Sequence, residues 1–218
     1  MNKKNQTVGG ISGIIEASLY IFGIILLFSS LHPAIDQAQT AAEKLQFIIE
    51  NKAKYQLWML LIYVIFGIVL IPLTIAIHEI FENNSTLFSK AMPVFGFIWS
   101  GLVIASGMIA VVGINAVGET YNTDPNSAIT SWKTIETIQN GLGGGVEIIG
   151  GIWVLLISIM GLTQSIFNKG LNYLGLIVGS AGILTIIPAL TDLGVVFGLT
   201  QIFWFLWIGI AMIKNGKT

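Results

Sequence analysis

Glu16 lies about a third of the way into Ile11–Leu31, a run that holds no other charged residue. A carboxylate in hydrocarbon costs at least a few kcal/mol, so it should face other helices and hold its proton. Ser12, Glu16, Tyr20 and Gly23 follow at steps of four, four and three residues, which puts them on one helix face. On the neighbouring face Gly9, Gly13 and Ala17 recur every four residues, the small-residue row that lets membrane helices approach closely. A polar stripe beside such a seam has two uses: it lines a ligand cavity, or it hydrogen-bonds to a neighbouring helix.

Glu147 is the second carboxylate of this kind, just behind the glycine-rich stretch Gly141–Gly145 and a few residues into another apolar run. It is either a ligand group like Glu16 or a helix-dipole partner in a first turn. Ser12, Glu16, Tyr20 and Glu147 are therefore the candidate ligand-binding residues, and whether the two glutamates approach each other stays open.

Other chemistry is poorly provided for. Cysteine is absent, which removes thiolate nucleophiles, thiolate metal sites and disulfides. Arginine is absent too, so no guanidinium fork is available for phosphate or carboxylate. His32 and His78 end two successive apolar runs and so fall at opposite membrane surfaces, and His78-Glu79-Ile80-Phe81-Glu82 lacks the second histidine of a zinc-protease helix. Gly10-Ile11-Ser12-Gly13 matches a serine-protease tetrapeptide, but no histidine lies inside a span to act as base. No lysine lies within a span, which excludes a retinal Schiff base, and the glycine run lacks the ending of a phosphate loop. No catalytic residue, metal or cofactor is expected. A net charge of −1 offers nothing to nucleic acid.

The elements that must position these residues are membrane helices. Six runs of 18 or more residues are almost free of charge: 11–31, 57–77, 94–114, 145–162, 173–190 and 195–213. About 20 apolar residues cross a hydrocarbon core about 30 Å thick. The chain is 54% hydrophobic and 10% charged, where a soluble domain carries roughly 25% charge. The reading is a single all-α membrane domain over residues 1–218, with six spans. The first run is too long for a signal-peptide core, and it contains Glu16, so it counts as a span.

Lysine distribution sets the orientation. Lys3, Lys4, Lys90, Lys169, Lys214 and Lys217 fall on the side of the N-terminus; Lys44, Lys52, Lys54 and Lys133 fall on the other, with seven acids. Both termini are expected in the cytoplasm. Each long outer loop then carries a short amphipathic helix at the interface or capping the bundle. The first is striped by Ile35, Ala38, Ala42, Leu45 and Ile49 after His32-Pro33; the second is striped by Ala128, Trp132, Ile135 and Ile138 between Asp124-Pro125 and Gly141. Asn83-Asn84-Ser85 reads as a polar turn. Pro72 and Pro188 should kink their helices, Asn115 should cap the third span, and Gly175, Gly179 and Gly182 give the fifth a close-packing face. Trp58, Trp99, Trp153, Trp204 and Trp207 read as interfacial anchors.

The halves match weakly in order: Gly10 to Glu16 with Gly141 to Glu147, Ile71-Pro72 with Ile187-Pro188, and Val94-Phe95-Gly96 with Val196-Phe197-Gly198. Three spans per half would make this an inverted 3+3 repeat. The segments Gly9 to Ala17, Gly141 to Val154 and Leu174 to Gly182 also carry a likeness beyond the chain. Through them it resembles the bacterial membrane-protein family called domain of unknown function 4386. That resemblance spans nearly the whole chain. It implies a six-helix integral protein of the bacterial plasma (inner) membrane and transfers no catalytic role.

The function expected is to bind or move a small or lipidic molecule through a cavity inside the bundle. The alternative is a non-catalytic accessory subunit of a larger membrane complex. The partners expected are the lipid bilayer, a small-molecule or lipid ligand, and a membrane-protein partner or further copies of the chain. A cysteine-free chain makes the orientation testable. Single cysteines introduced as Lys4→Cys or Lys214→Cys should react with an impermeant maleimide only in opened membranes, and Lys133→Cys in sealed cells. The opposite labelling would invert the topology.

Overall fold

The computed structural model describes residues 3–31, 40–82 and 86–217. His32, Pro33, Ile35, Ala38 and the turn at 83–85 lie outside the described residues. Every regular element among the described residues is helical, as apolar segments in lipid must be to satisfy their own backbone groups. In chain order they are α1 (Lys3–Leu26), α2 (Ala41–Glu50), α3 (Lys52–Met59), α4 (Phe66–Phe81), α5 (Leu87–Tyr121), α6 (Pro125–Gln139), α7 (Ile148–Thr163), α8 (Lys169–Leu184) and α9 (Leu193–Lys217). Three π-helical segments interrupt this order: Leu27–Leu31 after α1, Leu60–Ile65 joining α3 to α4, and Asn140–Gly144 after α6.

Among the described residues, five helical stretches are long and apolar enough to cross a membrane: Lys3–Leu31, Lys52–Phe81, Leu87–Tyr121, Pro125–Thr163 and Leu193–Lys214. The stretch 173–190, expected as a further span, differs. Its helix, α8, ends at Leu184, and Pro188 opens a short 3₁₀ turn over Pro188–Leu190. Proline lacks an N–H and pushes its predecessor toward extended backbone, and Ile187 is extended. Sixteen residues of helix reach only about 24 Å. Pro72, in contrast, sits within continuous α4.

The long helices and α7 and α8 close into a ring. α1 packs on α4, α4 on α5, α5 on α7, α7 on α8, α8 on α9, and α9 returns to α1. Glycine makes the closing contact. A Cβ on Gly10 would stand 2.7 Å from the Gly209 carbonyl oxygen, and a Cβ on Gly209 would stand 2.7 Å from that of Gly10.

Other glycines admit rings to the centre. The Trp99 ring lies against Gly150, Trp153 against Gly96 and Trp204 against Gly175. These three tryptophans are 2%, 0% and 1% exposed, so they are core residues and not the interfacial anchors their positions suggested. Their rings meet one another and Phe66, Phe197 and Phe205, mostly edge-to-face or tilted, and Tyr20 joins the network through Phe66 and Phe205, at centroid distances of 5.3–6.4 Å.

Helix α6 does not lie flat. The contacts Gly113–Ile135, Val103–Gly143, Trp99–Gly150 and Gly96–Trp153 show the chain running down α5 through α6 into α7. Asp124 caps α6 by accepting from the Ser127 N–H, and Thr40 with Glu43 forms a capping box on α2. With α2, α3 and the end of α5, α6 builds a second core of Leu45, Ile48, Tyr55, Met59, Ala110, Ile114, Val117, Ala128 and Trp132. Helix α5 runs on to Tyr121, so Asn115 does not cap it; its side chain meets Gln56 instead.

If glycine sets the α1–α9 distance, Gly10→Val should destabilise the solubilised protein by about 1–3 kcal/mol through overpacking. Gly101→Ala should cost nothing, because no atom lies within 4 Å of its new methyl. Thermal unfolding of both variants checks this.

Candidate functional site

A cavity of ≈ 170 Å³ sits where the ring meets the second core. Its wall is built from α1 (Tyr20, Gly23, Ile24), α3 (Trp58), α4 (Phe66) and α5 (Trp99, Val103). The remaining lining comes from places where the regular helix fails: Leu27, Ile62, Tyr63 and Gly143 all belong to π-helical segments. Thus all three π segments converge on one space. Such segments displace side chains from the regular helical progression and recur at functional sites. Glu147, which follows the last of them at the start of α7, completes the lining.

The local sequence explains these shapes. Gly141, Gly143, Gly144 and Gly145 carry no side chain to hold a helix, and Gly143 takes φ +115, a backbone that other residues rarely adopt. The run that resembles the start of α1 in sequence therefore does not repeat its conformation. Ser106 Oγ donates to the Gln139 carbonyl oxygen at 3.2 Å, one of the contacts that hold the end of α6 against α5. The Glu147 N–H donates to Thr185 Oγ1 at 2.8 Å, and that hydroxyl donates to the Gly182 carbonyl at 2.7 Å, tying α7 to the end of α8. Trp58 Nε1 donates to the Gly23 carbonyl at 3.0 Å, spanning a seam where Gly23 admits Ile62.

Of the four residues singled out by spacing, Tyr20 and Glu147 line the cavity; Ser12 and Glu16 do not. Ser12 is buried and donates to the Val8 carbonyl of its own helix. Glu16 is 0% exposed, and neither carboxyl oxygen has a hydrogen-bond partner among the described residues. Glu147 occupies the N-cap position of α7, yet its side chain does not cap the helix. The residue lines the cavity instead.

Two wider recesses adjoin this space. One of ≈ 450 Å³ shares Glu147 and is lined also by Asn140, Thr191 and Asp192. The other, of ≈ 260 Å³, shares Leu27, Trp58 and Tyr63, and at its rim Lys44 pairs with Glu136 at 3.3 Å. Spacing arguments missed Trp58, Tyr63 and Gly143. Tyr63 carried a signal, a phenol inside an apolar run, but nothing in the sequence marked the π segment that turns it inward.

Among the described residues, the cavity lining holds five aromatic residues and one carboxylate, with no paired nucleophile and base. A family model described as "Domain of unknown function (DUF4386)" matches residues 10–214 of the chain. No curated protein and no solved structure matches it.

The strained glycine supplies a test of the site's scaffold. Gly143→Ala should cost about 1–3 kcal/mol, since the positive φ strains any Cβ. Gly141→Ala, with open space around it and no positive φ, should be neutral. Comparing the two unfolding temperatures decides whether backbone shape or mere glycine content holds this turn.

Proposed function

This chain belongs to the family of the domain of unknown function 4386, and from that premise we propose that it is a multi-pass membrane protein that binds or moves a small or lipidic molecule. The observation that carries the proposal is the cavity on which all three π segments converge, with Tyr20 and Glu147 in its wall. Its size sets a scale. An apolar cavity of about 150 Å³ accommodates benzene, so ≈ 170 Å³ suits a compact molecule or one end of a longer one. A whole lipid would have to extend into the adjoining recesses.

In this reading α8 also crosses, fifth in chain order and making six crossings in all, its short helix lengthened by the apolar turn residues Ile186, Ile187 and Leu190. Both termini lie in the cytoplasm, and α2 and α6 cap the outer end. The packing of α5 on α7 and of α9 on α1, the third element of each half on the first of the other, supports an inverted 3+3 arrangement.

Native mass spectrometry of the full chain, gently extracted from its own membrane, tests the proposal. A stoichiometric adduct of small mass is expected, retained in Glu16→Gln and lost in Glu147→Gln. A mass increment from a second polypeptide and no small adduct would replace the ligand-binding reading with that of an accessory subunit.

A further inference from the structure

Resting on that cavity reading, we propose that the ligand is a compact organic cation, a protonated amine or a quaternary ammonium, with Glu147 as its counter-ion. Among the described residues the lining contains one carboxylate and neither lysine nor histidine, and the chain has no arginine. The same lining holds the rings of Tyr20, Trp58, Tyr63, Phe66 and Trp99. Aromatic faces carry negative potential and attract a cation, most strongly where water is excluded. An anion would meet the opposite situation. It would keep Glu147 from ionising and find no basic side chain among the described lining residues, and the indole N–H of Trp58 is already given to the Gly23 carbonyl, whereas a cation would stabilise the ionised carboxylate. A neutral apolar guest would leave the carboxylate facing hydrocarbon.

The approach to the cavity carries the same sign. The adjoining recess that shares Glu147 is lined by Asn140, Thr191 and Asp192, with two acids and no basic residue. A cation drawn in there meets Asp192 at the exposed turn before Glu147. In the other recess the single lysine, Lys44, is held by Glu136. Charge, ring faces and access route thus select one ligand chemistry.

Isothermal titration calorimetry of the full chain in detergent tests this with two probes of equal shape: choline, and its uncharged isostere 3,3-dimethylbutan-1-ol. Choline is expected to bind at least tenfold more tightly. Glu147→Gln should bring it to the level of the alcohol, Glu147→Asp should retain part of the preference, and Glu16→Gln should leave it unchanged. Tyr63→Leu should weaken choline severalfold and the alcohol little, a reading that stands even if the Gln variant fails to fold. Equal binding of the two probes, or choline binding indifferent to Glu147, overturns the cation and leaves the cavity reading standing. Binding of neither probe overturns the cation as well; if native mass spectrometry also finds no adduct, the cavity reading falls with it.

Discussion

Glycine opposite a large side chain is the contact on which this bundle depends. In lipid no hydrophobic force drives one helix onto another, so association rests on close packing and on polar contacts. The ring closes where Gly10 and Gly209 bring α1 and α9 to backbone distance. Its centre fills because Gly96, Gly150 and Gly175 leave room for Trp153, Trp99 and Trp204. Each tryptophan needs a glycine on a different helix, so the ring stacks lock the helices' relative heights as well as their order.

Where regular helix gives way, that packing also gives way. The π segments at Leu27–Leu31, Leu60–Ile65 and Asn140–Gly144 come from three separate parts of the chain and meet around one cavity. Hydrogen bonds between separate elements flank them: Trp58 to the Gly23 carbonyl, Ser106 to the Gln139 carbonyl, and the Glu147 N–H to Thr185. The result is a cavity with an aromatic wall, joined at Glu147 to a wider recess.

The two glutamates show how alike residues acquire different work. Glu16 is sealed among α1's neighbours with both oxygens unpartnered among the described residues, whereas Glu147 sits at a helix start beside open space. In sequence both are acids next to glycine-rich apolar runs. Only the second run, with Gly143 at positive φ, breaks the helix and exposes its glutamate to a cavity.

Much of the architecture was legible from composition and periodicity. Long uncharged runs dictate helices in lipid, Asp124-Pro125 marks the start of α6, and the small-residue row Gly9, Gly13, Ala17 marks a seam. Ring closure, the burial of Trp99, Trp153 and Trp204, and the convergence of the π segments were not legible, because each depends on residues far apart in the chain meeting at one height. The early end of α8 had its signal in Pro188, which a hydropathy count passes over. The sequence by itself determined that the chain is helical, apolar and membrane-spanning, since those follow from the solvent each residue tolerates. Tertiary structure alone decided which polar group meets a cavity: Tyr20 and Glu147 do and Ser12 and Glu16 do not, because that turns on which neighbouring side chains fill the space in front of them.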